Sequence, residues 1–146
     1  MGDFEVPADI TFNRGLIADP EQYAADFGAA SWLYLCGPAF AEVDGGMSYE
    51  QVQTAVSAAE NIVTDEGPLT LEFAREHMAA MDRLPRPTLV TCRVGPRSSA
   101  LVYLHEGLRA GASAEDVLAA ADADEAPFTN SPELREFVTR GLEELR

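Results

Sequence analysis

Apolar and polar positions along this chain switch repeatedly between two periods, one suited to strands and one to helices. "DITFNRGLI" alternates enough to predict a first strand. "DPEQYAADFG" predicts a helix, with Asp19 as N-cap, Pro20 at the first helical position and Gly28 as its stop. "SWLYLC", Ser31 to Cys36, is aromatic and aliphatic throughout and predicts a buried strand, in which Trp32 and Tyr34 are core residues. "GPAFAEVDGGM" is punctuation. "SYEQVQTAVSAAE" predicts a helix capped by Ser48, with Val52, Ala55, Val56 and Ala59 on one face. "NIVT" reads as a short strand and "DEGP" as a loop.

Thr70 caps the next predicted helix, in which Phe73, His77, Met78 and Met81 recur at helical spacing. "PRPTLVTC" follows as a strand whose two prolines precede it, where they remove no ladder bond. "SSALVYLHEGLRAG" predicts a helix that ends at Gly111. "SAEDVLAAADA" predicts another, with Asp116 three residues after its Ser113 cap, and "SPELREFVTRGLEEL" a last one with Pro132 at its start. The acidic "DADEAPFTNSPE" between them reads as a loop. Strands and helices alternate, so the expected fold is α/β, a largely parallel sheet flanked by helices. No repeat, low-complexity tract or linker divides the chain, so residues 1–146 are read as one domain. The G-x-G-x-x-G dinucleotide fingerprint is absent.

Composition narrows the function classes. Apolar residues make up 47% of the 146, which suits a globular domain. The net charge is −15, from 25 acids against 10 bases. Non-specific binding to nucleic acid or an anionic membrane needs a basic surface, so neither is expected. A local anion site is not excluded by that charge. Two cysteines are too few for a disulfide scaffold and suggest a reducing cytoplasm. "MGDFEVPADI" lacks the basic and apolar regions of a signal peptide, and "AASWLYLCGPAFA" is too short and broken to span a bilayer. No spacing of His, Cys and carboxylates matches a metal site, and no cofactor is expected.

The chemistry concentrates in "TCRVGPRSS", where a strand ends at Cys92 and a helix starts near Ser98. Sites in open α/β sheets lie at the carboxyl ends of strands. A helix N-terminus adds unpaired N–H groups and a partial positive charge. A tight loop there turns amides inward into an anion-binding nest, and Gly95 permits the backbone geometry. Arg97 supplies a permanent positive fork, and Ser98 or Ser99 can donate to the sulfur and cap the helix. Cys92 on the floor of this loop is expected to populate its thiolate and act as nucleophile. Arg93, Val94, Gly95, Pro96, Ser98 and Ser99 are the expected anion-binding residues, through their backbone as much as their side chains.

"CRVGPRS" resembles the active-site loop shared by rhodaneses and cysteine phosphatases. The wider chain resembles the phosphatase-like domain that occurs alone or fused to beta-lactamase-like hydrolases, a family also identified as sulfur transferases. Four blocks carry this likeness: "GLIADPEQYAADFGAASWLYL", "YEQVQTAVSAAENIVTDEGPLT", "RPTLVTCRVGPRSSALVYL" and "GASAEDVLAAADA". The resemblance implies a dual-specificity-phosphatase-like fold. Within the loop, four residues separate Cys92 from Arg97, whereas cysteine phosphatases resemble C-x5-R and rhodaneses have the shorter loop. Thr91 stands where the phosphatases usually have His, and Pro96 removes one N–H donor.

These departures make sulfur transfer the expected activity. Cys92 would take sulfane sulfur from a small anionic donor, thiosulfate or a persulfide, and pass it to a thiol acceptor or cyanide. The alternative is a phosphatase acting on a phosphate ester, with Arg97 as clamp and Asp65 as acid; Glu66 is the neighbouring candidate. A third reading is a non-catalytic anion-binding or sensor domain. Asp65 also reads as an ordinary solvated turn carboxylate, and His77 and His105 as packed histidines. Cys36 is read chiefly as a small buried residue, with resolution of an oxidised Cys92 as its other possible role.

Overall fold

The computed structural model describes residues 4–64 and 67–146. Its four strands are β1 (Ile10–Phe12), β2 (Ser31–Tyr34), β3 (Ala58–Asn61) and β4 (Thr88–Thr91). They form one parallel sheet in the order β1-β4-β2-β3. The helices are α1 (Pro20–Phe27), α2 (Tyr49–Ala55), α3 (Leu71–Arg83), α4 (Pro96–Ala110), α5 (Ala114–Ala123) and α6 (Pro132–Glu144). Two short 3-10 turns, Pro38–Glu42 and Pro127–Asn130, complete it. The expected α/β architecture with a parallel sheet is the one found.

Strand side chains alternate between two cores, as a period of two dictates. Trp32, Tyr34, Cys36 and Leu89 pack with Ala24 of α1 and Val52 of α2 on one face. Leu33, Leu35, Val90 and Cys92 pack with α3 to α6 on the other. Buried polar atoms in the central strands are paired: the Trp32 indole N–H donates to Thr91 Oγ1 at 2.8 Å, and Ser31 Oγ to Thr88 Oγ1 at 3.0 Å. Every residue of α4 from Ser98 to Gly107 is buried, so this helix is the central post of the second layer. Gly141 of α6 lets that post come close, since a Cβ there would lie 2.7 Å from Leu104 Cδ1.

Two boundaries differ from the sequence expectation. The helix predicted over "SYEQVQTAVSAAE" stops at Ala55, and Val56 is already extended. Ala58 to Asn61 instead pair with Ser31 to Tyr34, so the third strand starts three residues before "NIVT". Alanine favours helix by only tenths of a kilocalorie per residue, and a strand position beside β2 overrides that preference. β1 is likewise short: it ends at Phe12, and Asn13 leaves the ladder.

Buried titratable groups brace the second layer, among them Glu106, His105 and His77. Glu106 of α4 accepts from Arg86 at 2.9 Å and pairs with His105 Nδ1 at 2.6 Å, while His105 Nε2 lies 2.8 Å from Asp82. Burial alone would push the Glu106 carboxyl up, but hydrogen bonds from His105 and Arg86 more than offset it and hold it below its ordinary value. His77 of α3 is fully buried, with Nδ1 3.0 Å from the Phe73 carbonyl and no partner for Nε2. Desolvation pushes its imidazole down to about 4, against a smaller upward pull from that carbonyl. The folded state thus favours neutral His77, and the unfolded chain takes up the proton first. Stability is then full above the ordinary value of 6.5 and is lost as pH falls toward about 4. His77→Leu should shrink the loss between about pH 7.5 and about pH 5 by roughly 1–2 kcal/mol relative to the parent, read from urea unfolding at both values. Identical acid-side losses in parent and variant would contradict this.

Candidate active site

Among the described residues, five of the six helices have their first turn closed by a side-chain oxygen: Asp19, Ser48, Thr70, Ser113 and Ser131 each accept a backbone N–H at the helix start. Helix α4 does not. Its N-cap is Gly95, which has no side chain, and Pro96 and Arg97 fill the first two positions. The acceptor is instead a sulfur. Cys92 Sγ receives the N–H of Gly95 at 3.1 Å and the N–H of Ser98 at 3.4 Å, and lies 3.3 Å from Ser98 Oγ. Cys92 is 4% exposed and directly follows β4, at the carboxyl end of the sheet. The strand-to-helix loop read from the sequence is therefore built as expected, except that α4 begins at Pro96 rather than near Ser98.

Gly95 fits for two reasons. Its φ of 118° is closed to most L-residues, and a Cβ there would overlap the carbonyl oxygen of Asn13 and sit 3.0 Å from Pro127 Cγ. The loop is thus wedged between the end of β1 and the 3-10 turn Pro127–Asn130. That turn, expected only as loop, also donates the Phe128 N–H to Ser99 Oγ at 3.1 Å.

The expected residues of the loop each have a definite place. Ser98, not Ser99, faces the sulfur. Ser99 Oγ donates to the Pro96 carbonyl at 3.0 Å and accepts from Phe128, and Ser99 N–H bonds to the Gly95 carbonyl, so neither group is left for an anion. Pro96 brings no N–H but occupies the first helical position, where the missing donor breaks no helix bond. Val94 is 49% exposed at the loop tip. The Arg93 guanidinium lies 5.1 Å from the Phe40 ring centroid, packing the loop against the Pro38–Glu42 turn. Arg97 Nη1 is buried and has no hydrogen-bond partner. A buried cationic nitrogen without an acceptor is costly, and an anion is what would satisfy it. Asp65 and Glu66, the candidate acids, lie outside the described residues.

Cys36 and Cys92 pack into different cores. Cys36 belongs to the core beneath α1 and α2, while Cys92 faces α4. Neither cysteine is in a disulfide. Thr91, which takes the position of the phosphatase His, points to Trp32. His77 and His105 are packed on α3 and α4 as described above. Among the described residues, no three His, Cys, Asp or Glu side chains gather as metal ligands, and no helix is long and apolar enough to cross a membrane.

Asn13 was not singled out by sequence, yet it closes the site. It is 1% exposed and bonds to both ends of the loop. Its one visible signal is a polar residue at the point where the first apolar run ends.

No protein-family model matches the chain, and no curated protein matches it in sequence. Solved structures do match in fold. Tk-PTP in its active form superposes with a TM-score of 0.76 over 96% of this chain and 95% of its own, at 14% identity. A protein assigned as a phosphatase from Neisseria meningitidis z2491 gives 0.70 over 97% and 99%, at 15% identity. One assigned as a phosphatase (DUF442) from Shewanella putrefaciens CN-32 gives 0.70 over 97% and 91%, at 17% identity. The chain has the phosphatase-like fold that its sequence resemblance implied. These descriptions name phosphatases; none names a sulfur transferase or a beta-lactamase-like hydrolase.

Two glycines in the left-handed region separate the effect of backbone strain from that of overlap. Gly111→Ala meets no atom within 4 Å and should destabilise by about 1–2 kcal/mol. Gly95→Ala adds the overlap with Asn13 and should cost about 3–5 kcal/mol. Urea unfolding of the two variants checks the order, and equal losses would refute it.

Proposed function

We propose that this protein is a cysteine-dependent phosphatase acting on a phosphate monoester. The observation that carries the reading is a nucleophilic sulfur that accepts two loop N–H groups at a helix N-terminus, next to an arginine with a buried, unpartnered nitrogen. The match to solved structures described as phosphatases supports phosphate over sulfur as the transferred group.

In this reading the Cys92 thiolate attacks phosphorus in line with the ester oxygen. The S–P bond forms, the P–O bond breaks, and the alcohol leaves with a proton from a carboxylic acid. Asp65 or Glu66, which follow β3 in the sequence, is the residue proposed to give it. Loop amides and the Arg97 fork balance charge on the three remaining oxygens as it spreads in the transition state. Water then attacks phosphorus, its proton passes to the same carboxylate, and the S–P bond breaks with its electron pair returning to sulfur. Ser98 Oγ, 3.3 Å from Sγ, can donate to that departing thiolate. The start of α4 adds its partial positive charge to each anionic state.

One observation favours a second reading. Only four residues separate Cys92 from Arg97, and a short ring suits a single sulfur carried as a persulfide. Thiosulfate would be the donor and a thiol the acceptor.

The two readings part in one set of measurements. The parent should release phosphate from p-nitrophenyl phosphate with vanadate sensitivity, and Cys92→Ser should abolish it. Arg97→Lys should lower kcat/KM by about 100-fold, because the charge remains but the two-pronged fork is lost. Asp65→Asn or Glu66→Gln should slow esters of poor leaving groups far more than p-nitrophenyl phosphate. A parent that hydrolyses no aryl or alkyl phosphate, but gains sulfur mass on Cys92 from thiosulfate, would replace the first reading with the second.

A further inference from the structure

We infer that Asn13 is a positioning residue that fixes which way the amides of the Cys92 loop point; the inference rests on the reading of that loop as an anion cradle. The side-chain amide of Asn13 has one orientation consistent with its neighbours. Nδ2 donates to the carbonyls of Gly15 at 2.9 Å, Cys92 at 2.9 Å and Arg93 at 3.3 Å. Oδ1 accepts from Cys92 N–H at 3.2 Å and from Ser98 Oγ at 2.9 Å. A flipped amide would set its oxygen against three carbonyl oxygens.

The consequence follows from peptide geometry. In a trans peptide the C=O and the next N–H point in opposite directions. Holding the Cys92 carbonyl on Asn13 therefore turns the Arg93 N–H away from Asn13, and holding the Arg93 carbonyl does the same for the Val94 N–H. The following N–H, of Gly95, already meets the sulfur. One buried amide thus stops the loop from turning its carbonyl oxygens toward an anion, which they would repel.

Asn13 also governs one proton. The Ser98 hydroxyl has a single hydrogen and three acceptors in reach: Asn13 Oδ1 at 2.9 Å, the Gly95 carbonyl at 3.1 Å and Cys92 Sγ at 3.3 Å. With a neutral sulfur the hydrogen rests on Asn13. With an anionic sulfur it turns to Sγ, and Asn13 keeps the Cys92 N–H. Aspartate at this position would keep the shape and the acceptors but lose the donor, and would place negative charge beside the sulfur.

The test measures protection of Cys92 from iodoacetamide by sulfate, whose charge is constant between about pH 5 and about pH 8, in the parent, Asn13→Asp and Asn13→Ala, with unfolding midpoints taken in parallel. Sulfate should protect the parent. Asn13→Asp should bind it about tenfold or more weakly near neutral pH and recover relative to the parent as pH falls, because a protonated carboxyl loses its charge and regains a donor. Asn13→Ala should be weakened without that recovery. If the parent is protected and both variants hold sulfate as tightly, the inference on Asn13 falls while the anion cradle stands. If Asn13→Asp weakens equally at every pH, in step with its unfolding midpoint, Asn13 is structural only and the inference falls. If sulfate does not protect the parent, the cradle reading falls and takes the inference with it.

Discussion

A helix that starts inside a protein must find acceptors for its first N–H groups, and in α4 that acceptor is the sulfur of Cys92. The other helices meet the same demand with oxygen. Sulfur is a poorer acceptor when neutral and a better one when ionised, so the start of this helix and the side chain of Cys92 are tied together by one interaction. The surrounding construction follows from it. β4 ends where the sulfur must sit, Gly95 allows the turn, and the turn Pro127–Asn130 backs it from outside. The long buried run of α4 anchors the far side.

Much of this site could be read from local chemistry. Cys92, Gly95, Arg97 and Ser98 fall within seven residues between an apolar run and a helix, and the structure gathers them in one turn. The choice between Ser98 and Ser99 could not be read, because it depends on helical phase and on Phe128, a residue 29 positions away. Asn13 was hidden for the same reason: its partners in the Cys92 loop are 79 to 85 positions away, and the pairing of β1 with β4 brings them together. The overrun of α2 is the reverse case, local propensity outweighed by the hydrogen bonds of a neighbouring strand.

Charge works on two scales. The chain carries −15 overall, and all ten of its bases are arginines. Several are matched to carboxylates far from the loop, among them Arg83 with Glu60, Arg86 with Asp9 and Glu106, and Arg135 with Asp122. Near the loop, Arg14 and Arg93 lie over aromatic rings, and Arg97 keeps a buried nitrogen without a partner. Local amides and guanidinium groups at contact distance can outweigh acidic groups that water and salt screen. The acidic surface and an anion site at the carboxyl end of the sheet are therefore compatible.

The placement of the two cysteines has a consequence for how the molecule survives in an oxidising setting. The chain has no third cysteine, and Cys36 and Cys92 pack into different cores. A sulfenic acid formed on Cys92 meets no second thiol within its own core, which leaves its rescue to a thiol from elsewhere. The persistence of Cys92 under peroxide then depends on the thiols around the protein.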